Sequence, residues 1–297
     1  MAERQLLQPA EQYSAEYVAW ATSEGESTST HVRRGRRLNP GFVTLIANEA
    51  ADLSIVDLER AASIVEAKGV ILERGTHTFS KQIEKWVSQQ EDDDDCCSFA
   101  KEALQISKQQ QGQRKKRMSN APETVEACHR LVSRLPASFR ASVLADALEL
   151  TESLTNMCLG VPYLMLQLEV IGNNRCCRWH QDPCQDQYAG RMLITYAGPS
   201  TWMCNDQDVN FGMFDQCIGV PSELSDPLIV PDYARIHKPP ANTVILIKGN
   251  EWPGIEHSTN SQGVVHKSPN MRMDKKNGNP VVTRFALKVD LSYRPPF

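Results

Sequence analysis

From Gly160 to the C-terminus, Gly, Pro and Asn cut the sequence into short apolar or alternating runs, and this texture constrains the fold more than any other property of the chain. Tyr163 to Ile171, Cys176 to Asp182, Arg191 to Tyr196, Thr243 to Ile247, Gly263 to His266 and Val281 to Leu291 each have the length and pattern of a strand. No helical pattern alternates between them. Short strands in this arrangement bury their apolar faces by packing on one another, so an antiparallel sandwich or barrel is predicted, with the double-stranded β-helix (jelly roll) as the leading type.

Before Gly160 the period changes. Leu53, Val56, Leu58, Ala61, Ile64 and Val65 fit one helix face, with a short strand beside it. Pro122-Glu123 opens a second helix through Val125, Cys128, Leu131 and Val132, and a third runs from Phe139 toward Met157 until Gly160-Val161-Pro162 stops it. The expected class is α+β: a helical region over 41–160 packed around a jelly roll over 161–297, the two forming one compact unit. Residues 1–40 read as an irregular polar segment. Residues 91–120 read as a charged, solvated insertion, acidic at Glu91-Asp92-Asp93-Asp94-Asp95 and basic at Arg114-Lys115-Lys116-Arg117, with a short helix from Phe99 to Ile106. A nuclear address or an interaction tail is the minor reading of those runs.

A formal net charge of -4 gives no global basic field, which argues against nucleic acid or an anionic membrane surface as partner and leaves a small molecule as the default. No stretch approaches the roughly 18 apolar residues of a membrane span, and Met1-Ala2-Glu3-Arg4-Gln5 opens no secretory signal. The 9 cysteines, an odd number, read as reduced thiols of a cytoplasmic protein.

Chemistry concentrates at Trp179-His180-Gln181-Asp182 and Gly263-Val264-Val265-His266. His180 and Asp182 stand two apart, so an extended strand sends both side chains to one face, and a ligand from a later strand completes a triangle. Two histidines and one carboxylate leave half of a coordination sphere open, which suits an iron(II) oxygenase that binds a co-substrate and dioxygen together. His257 is the rival third ligand, but it lies in a loop, where a ligand is held less tightly than on a strand. His31, His77, His129 and His237 read as ordinary surface or core histidines. Cys176, Cys177 and Cys184 flank His180, yet the chain has no Cys-x-x-Cys knuckle of the kind structural zinc sites use.

Four stretches together resemble a known family. Arg178-Trp179-His180-Gln181-Asp182, the run from Arg191 through Tyr196 to Gly198-Pro199-Ser200-Thr201-Trp202, Gly263-Val264-Val265-His266-Lys267-Ser268-Pro269, and Thr283-Arg284-Phe285-Ala286-Leu287-Lys288-Val289-Asp290 are similar to the core of domain of unknown function 1826, over about residues 160 to 291. This chain departs from the family pattern at Ser200, commonly Gly, and Lys267, commonly Arg, and has longer loops at 204–240 and 270–280. The pattern is also similar to the wider iron(II)/2-oxoglutarate oxygenase superfamily. That resemblance implies a jelly roll, Fe(II) on His180, Asp182 and His266, and a basic residue after the distal histidine that holds 2-oxoglutarate.

If the co-substrate is 2-oxoglutarate, its far carboxylate needs a cation, best a guanidinium whose paired N–H donors match both oxygens, with a hydroxyl beside it. Arg284 is the first choice and Arg191 the second, with Ser268 and Tyr196 as neighbouring hydroxyls. On a regular strand Tyr196 faces away from Arg191, because their offset is odd. The expected reaction is hydrogen abstraction from a small polar substrate with dioxygen, yielding succinate and carbon dioxide. Gln167 and Glu169 share a strand face, which suits a polar pocket or an exposed face of the sheet equally, and Trp202 and Trp252 read as packing under loops. Two other functions stay open: a zinc-binding or metal-sensing cupin-like module with the same ligands, and an interaction scaffold using the charged insertion.

Overall fold

The computed structural model describes residues 42–46, 55–63, 68–74, 79–90, 98–106, 121–171, 178–182, 188–217, 219–232, 235–249, 251–253, 263–269 and 284–295. In chain order, β1 (Phe42–Ile46), α1 (Ile55–Ala62), β2 (Gly69–Glu73), α2 (Ser80–Val87) and β3 (Ser98–Gln105) precede the longer helices α3 (Pro122–Val132) and α4 (Ala137–Met157). Then come β4 (Tyr163–Ile171), β5 (Tyr188–Ala197), β6 (Trp202–Cys204), α5 (Phe211–Gln216), α6 (Ser222–Ile229), β7 (Thr243–Lys248), β8 (Val265–Lys267) and β9 (Arg284–Ser292). Seven strands make one sheet in the order β1-β2-β7-β5-β9-β4-β3, antiparallel except where β1 meets β2.

Alternation sorts the side chains of this sheet. Leu164, Leu166 and Leu168 of β4, Phe285, Leu287, Val289 and Leu291 of β9, and Met192, Ile194 and Tyr196 of β5 turn toward the helices. There they join Leu58 of α1, Val87 of α2, Leu131 of α3, and Phe139 and Leu154 of α4 in one core. Each such side chain, fully buried, contributes about 1.5–3 kcal/mol. The opposite face carries Gln167 and Glu169, Arg191, and Arg284, Lys288 and Asp290. It is this second face that positions the site.

Over that face lies a short sheet of β6 and β8, with Met203 opposite His266. Met203 and Val264 pack onto Ile71, Leu193, Ile245 and Ile247 of the large sheet. The outer side of the short sheet is covered by the segment holding α5 and α6, through Trp179, Cys204, Cys217, Ile229, Val230 and Val265. Among the described residues, no helix is long and apolar enough to cross a membrane.

The class is therefore mixed α and β, with a mainly antiparallel sheet and six α-helices among the described residues. The large sheet is not closed into the expected jelly roll. The first half is also less helical than expected, since β1, β2 and β3 extend the large sheet. Phe99 to Ile106, predicted as a helix, instead lies in β3 and its end, pairing antiparallel with β4 from Ser98 opposite Glu169 to Gln105 opposite Tyr163. Its alanines, Lys101 and Glu102 favour a helix locally, and pairing along β4 overrides that weak preference.

The stretch between β6 and β7 was expected to be free of helices and contains α5 and α6. One has only 6 residues, too few to show a period, and the other carries Pro227 inside it. Of the predicted strand Cys176 to Asp182, the described part forms an isolated bridge, His180 with His266. Residues 1–40 and the charged runs on either side of β3 lie outside the described residues, as do His31, His77, His257, Cys176, Cys177 and Cys184.

Candidate metal centre

The bridge between His180 and His266 brings the two predicted histidines together. Each backbone N–H donates to the other's carbonyl at 2.9 Å, and the ring centroids stand 4.4 Å apart. Directly opposed residues point to the same side, so both imidazoles face the large sheet. Asp182, two residues past His180, does so too, and its Oδ1 lies 3.8 Å from Nε2 of His266. One ligand atom from each of His180, Asp182 and His266 falls within 4.8 Å of the others, the sole such His/Cys/Asp/Glu group among the described residues.

Both rings are oriented in the same way. Nδ1 of His180 is 2.9 Å from the Arg178 carbonyl, and Nδ1 of His266 is 2.9 Å from that of Val264. Neutral rings that donate from Nδ1 leave each Nε2 lone pair for a cation. Burial keeps the rings in that form, lowering His180 from its ordinary value and pushing His266 down to about 3. Burial works against the charge of Asp182, yet the Arg191 guanidinium beside it holds its carboxyl down to about 2. Two neutral imidazoles and an ionised carboxylate are the donor set of a divalent metal with open positions.

Arg191, the second-choice co-substrate cation, is already taken. Its Nη1 reaches both oxygens of Asp182 at 2.9 and 3.1 Å, while Nε and Nη2 reach Asp290 at 2.6 and 3.1 Å. Burial disfavours its charge, but Asp182 and Asp290 raise its pKa well above the usual value. Arg191 therefore orients the Asp182 carboxylate. The residue that does this with it, Asp290, was given no role from sequence, although it shares the alternating face of β9 with Arg284 and Lys288.

Arg284 stands differently. It is 4% exposed; Nη1 donates to Ser268 Oγ at 3.0 Å and Nη2 to Thr201 Oγ1 at 3.0 Å, while Nε has no partner among the described residues. Burial lowers its pKa below the usual guanidinium value. Thr195, on the Arg191 face of β5, likewise has a buried Oγ1 without a partner among the described residues. Ser268 is where the sequence places it. Thr201 and Thr195 were missed, though Thr201 lies in the Gly198-Pro199-Ser200-Thr201 run.

Tyr196 does not join the site. It faces the helices, where its hydroxyl donates to Asp146 Oδ2 of α4 at 2.8 Å. Lys267, the basic residue after the distal histidine, also turns away, pairing with Asp226 of α6 behind the short sheet. Glu169, on the expected polar face of β4, accepts from Lys288 Nζ at 2.5 Å, and the Lys288 charge reaches Asp182. Trp252 is packed in the helix-side core, as expected. Half-buried Trp202 carries Lys238 Nζ at 4.4 Å from its ring centroid.

A family model described as protein of unknown function (DUF1826) matches residues 76–290. The chain belongs to the DUF1826 family. In this DUF1826 chain the matched span takes in the triad, Arg191, Asp290, Arg284, Ser268 and Thr201. A comparison with curated proteins finds no match. Among solved structures, the DUF1826 chain is similar to a dioxygenase for auxin oxidation from rice at 12% identity, with 86% of this chain and 83% of that chain covered and a TM-score of 0.37. It is similar to an oxidoreductase of the 2OG-Fe(II) oxygenase family from Burkholderia pseudomallei at 13% identity, covering 86% and 96%, with a TM-score of 0.34. A third is a prolyl hydroxylase from Trichoplax adhaerens in complex with a hypoxia inducible factor oxygen degradation domain peptide fragment, at 11% identity, covering 80% and 91%, with a TM-score of 0.32. Likenesses this loose carry no argument about chemistry, which rests on the residues themselves.

Proposed function

We propose that this protein is a non-haem iron(II)/2-oxoglutarate-dependent oxygenase that oxidises a small polar molecule by hydrogen abstraction. The observation that carries the reading is Arg284, a buried guanidinium held by two neutral hydroxyls with one N–H unmatched among the described residues. Glu169 attracts this charge, but among the described residues no carboxylate touches it, and a carboxylate entering between Ser268 and Thr201 would offset the cost of its burial with charge-assisted hydrogen bonds. The charges of the surrounding face agree. Arg191, Lys288 and Arg284 balance Asp182, Asp290 and Glu169, so a divalent cation adds an excess that a dicarboxylate removes.

In this reading His180, Asp182 and His266 hold the iron, and Arg284 with Ser268 and Thr201 holds the far carboxylate of 2-oxoglutarate. Iron(II) with that co-substrate supplies activation of dioxygen and removal of hydrogen from the substrate. Arg191 and Asp290 keep the Asp182 carboxylate turned inward, and Gln167, Glu169 and Lys288 give the floor of the large sheet a polar character suited to a polar substrate. Nucleic acid and membrane have no part in it, and free, buried Cys128, Cys158, Cys204 and Cys217 fit a reducing cytoplasmic setting. The pairings of His180 with His266 and of Met203 with His237, one on each side of the β6–β8 ladder, support a jelly-roll arrangement.

The test is anaerobic addition of Fe(II) and 2-oxoglutarate to the full chain. A visible charge-transfer band and, on admitting air, succinate formation are expected, both lost in His180→Ala. No band in the wild-type protein would sink the reading. Tight zinc binding without succinate would support the metal-binding module instead.

A further inference from the structure

We propose that Asp226 of α6 is a positioning residue for the metal centre, acting through Trp179 and Lys267, the residues next to the two histidine ligands. The proposal rests on the metal reading above. His180 and His266 send their rings inward, so their odd-numbered neighbours turn outward, onto the helical segment behind the short sheet. Asp226 reaches both. Its Oδ1 accepts from the Trp179 backbone N–H at 3.4 Å, and its Oδ2 accepts from Lys267 Nζ. The Lys267 ammonium lies 5.6 Å from the Trp179 ring centroid and 5.4 Å from that of Trp202.

The three residues of this pairing are buried: Trp179 is 1% exposed, Lys267 1% and Asp226 2%. A buried ion pair is a poor source of stability, since apolar residues of similar volume often do as well or better. It is, however, directional. One carboxylate holds the residue before the first histidine and the residue after the second, so it fixes from behind the offset of the two segments whose reciprocal hydrogen bonds set the rings 4.4 Å apart. Groups that hydrogen-bond a metal ligand directly are worth about 10–100-fold in metal affinity, and Asp226 acts on the backbone that carries two such ligands.

Stability and positioning are separated by replacing the ion pair with apolar residues. The double variant Asp226→Leu/Lys267→Met and the single variant Asp226→Glu are titrated with Co(II) as full chains, beside wild type and His180→Ala, and metal-free thermal midpoints are measured. The double variant is expected to melt at or above the wild-type temperature yet bind Co(II) about 10–100-fold more weakly, with a changed visible d–d spectrum. Asp226→Glu, which moves the carboxylate by one methylene, is expected to stay folded with a smaller change of the same kind. Wild-type affinity and spectrum in a folded double variant overturn the proposal; should that variant fail to fold, the same result in Asp226→Glu does so. If the wild-type protein takes up no Co(II), the metal reading falls and the proposal with it.

Discussion

The two faces of strand β9 are built by opposite rules. Phe285, Leu287, Val289 and Leu291 are all fully buried against the helices, where any well-packed apolar group of the right volume would serve. Arg284, Lys288 and Asp290 on the other face are also mostly buried, but each depends on a named partner: Ser268 and Thr201, Glu169, and Arg191. One strand thus joins the stability of the molecule to its chemistry. The helix side is insensitive to direction and sensitive to volume, and the site side is the reverse.

The largest effect that would sharpen this contrast is expected on the polar face. If the proposed function holds, Arg284→Met should lower 2-oxoglutarate affinity by about 2–5 kcal/mol, the usual loss when one side of a buried charge pair is truncated, while the metal-free melting temperature holds or rises because a buried charge is gone. A variant that melts early and still binds the co-substrate would break the comparison. One residue pair further along, Leu287→Ala should do the opposite. Its cavity is expected to cost about 2–5 kcal/mol of stability, measured by urea unfolding, and to leave the iron(II)/2-oxoglutarate band in place at low temperature.

A third effect, spread over several pH units, is in the acid limb of stability. His266 is pushed down to about 3 by burial, so between its ordinary 6.5 and that value the unfolded chain binds a proton that the folded protein excludes. Metal-free stability should therefore fall as pH drops through 6.5, with a further loss below 3.8 as Asp182, held down to about 2, begins to matter. Melting temperatures that stay flat from about pH 7 to pH 4 would show that the buried histidine face is not linked to folding in this way.

How much of this was legible in the sequence follows from whether the information is local. Strands β4, β5, β7 and β9 show as alternating or apolar runs, and the pair His180 and Asp182 announces a shared face by its spacing. Even the odd offset of Tyr196 correctly separates it from Arg191. What sequence could not supply is register: only the pairing of Arg191 with Asp290 across β5 and β9 shows that this arginine is spoken for. Asp226 is further removed still, since it meets Lys267 across 41 residues through a short helix that its own Pro227 disguises.

Strand β3 lies at one margin of the large sheet. Among the described residues it ends the sheet order, so one row of its backbone N–H and C=O groups has no strand beyond it. Exposed Lys101 stands on it, Glu102 takes a hydrogen bond from Arg130 at 2.9 Å, and the pairing with β4 shifts register between Ser98 and Ala100. Charges and a bulge at a margin deter a second molecule from adding its own strand there. The charged residues that hide β3 in the sequence thus also discourage a second copy from pairing along this margin.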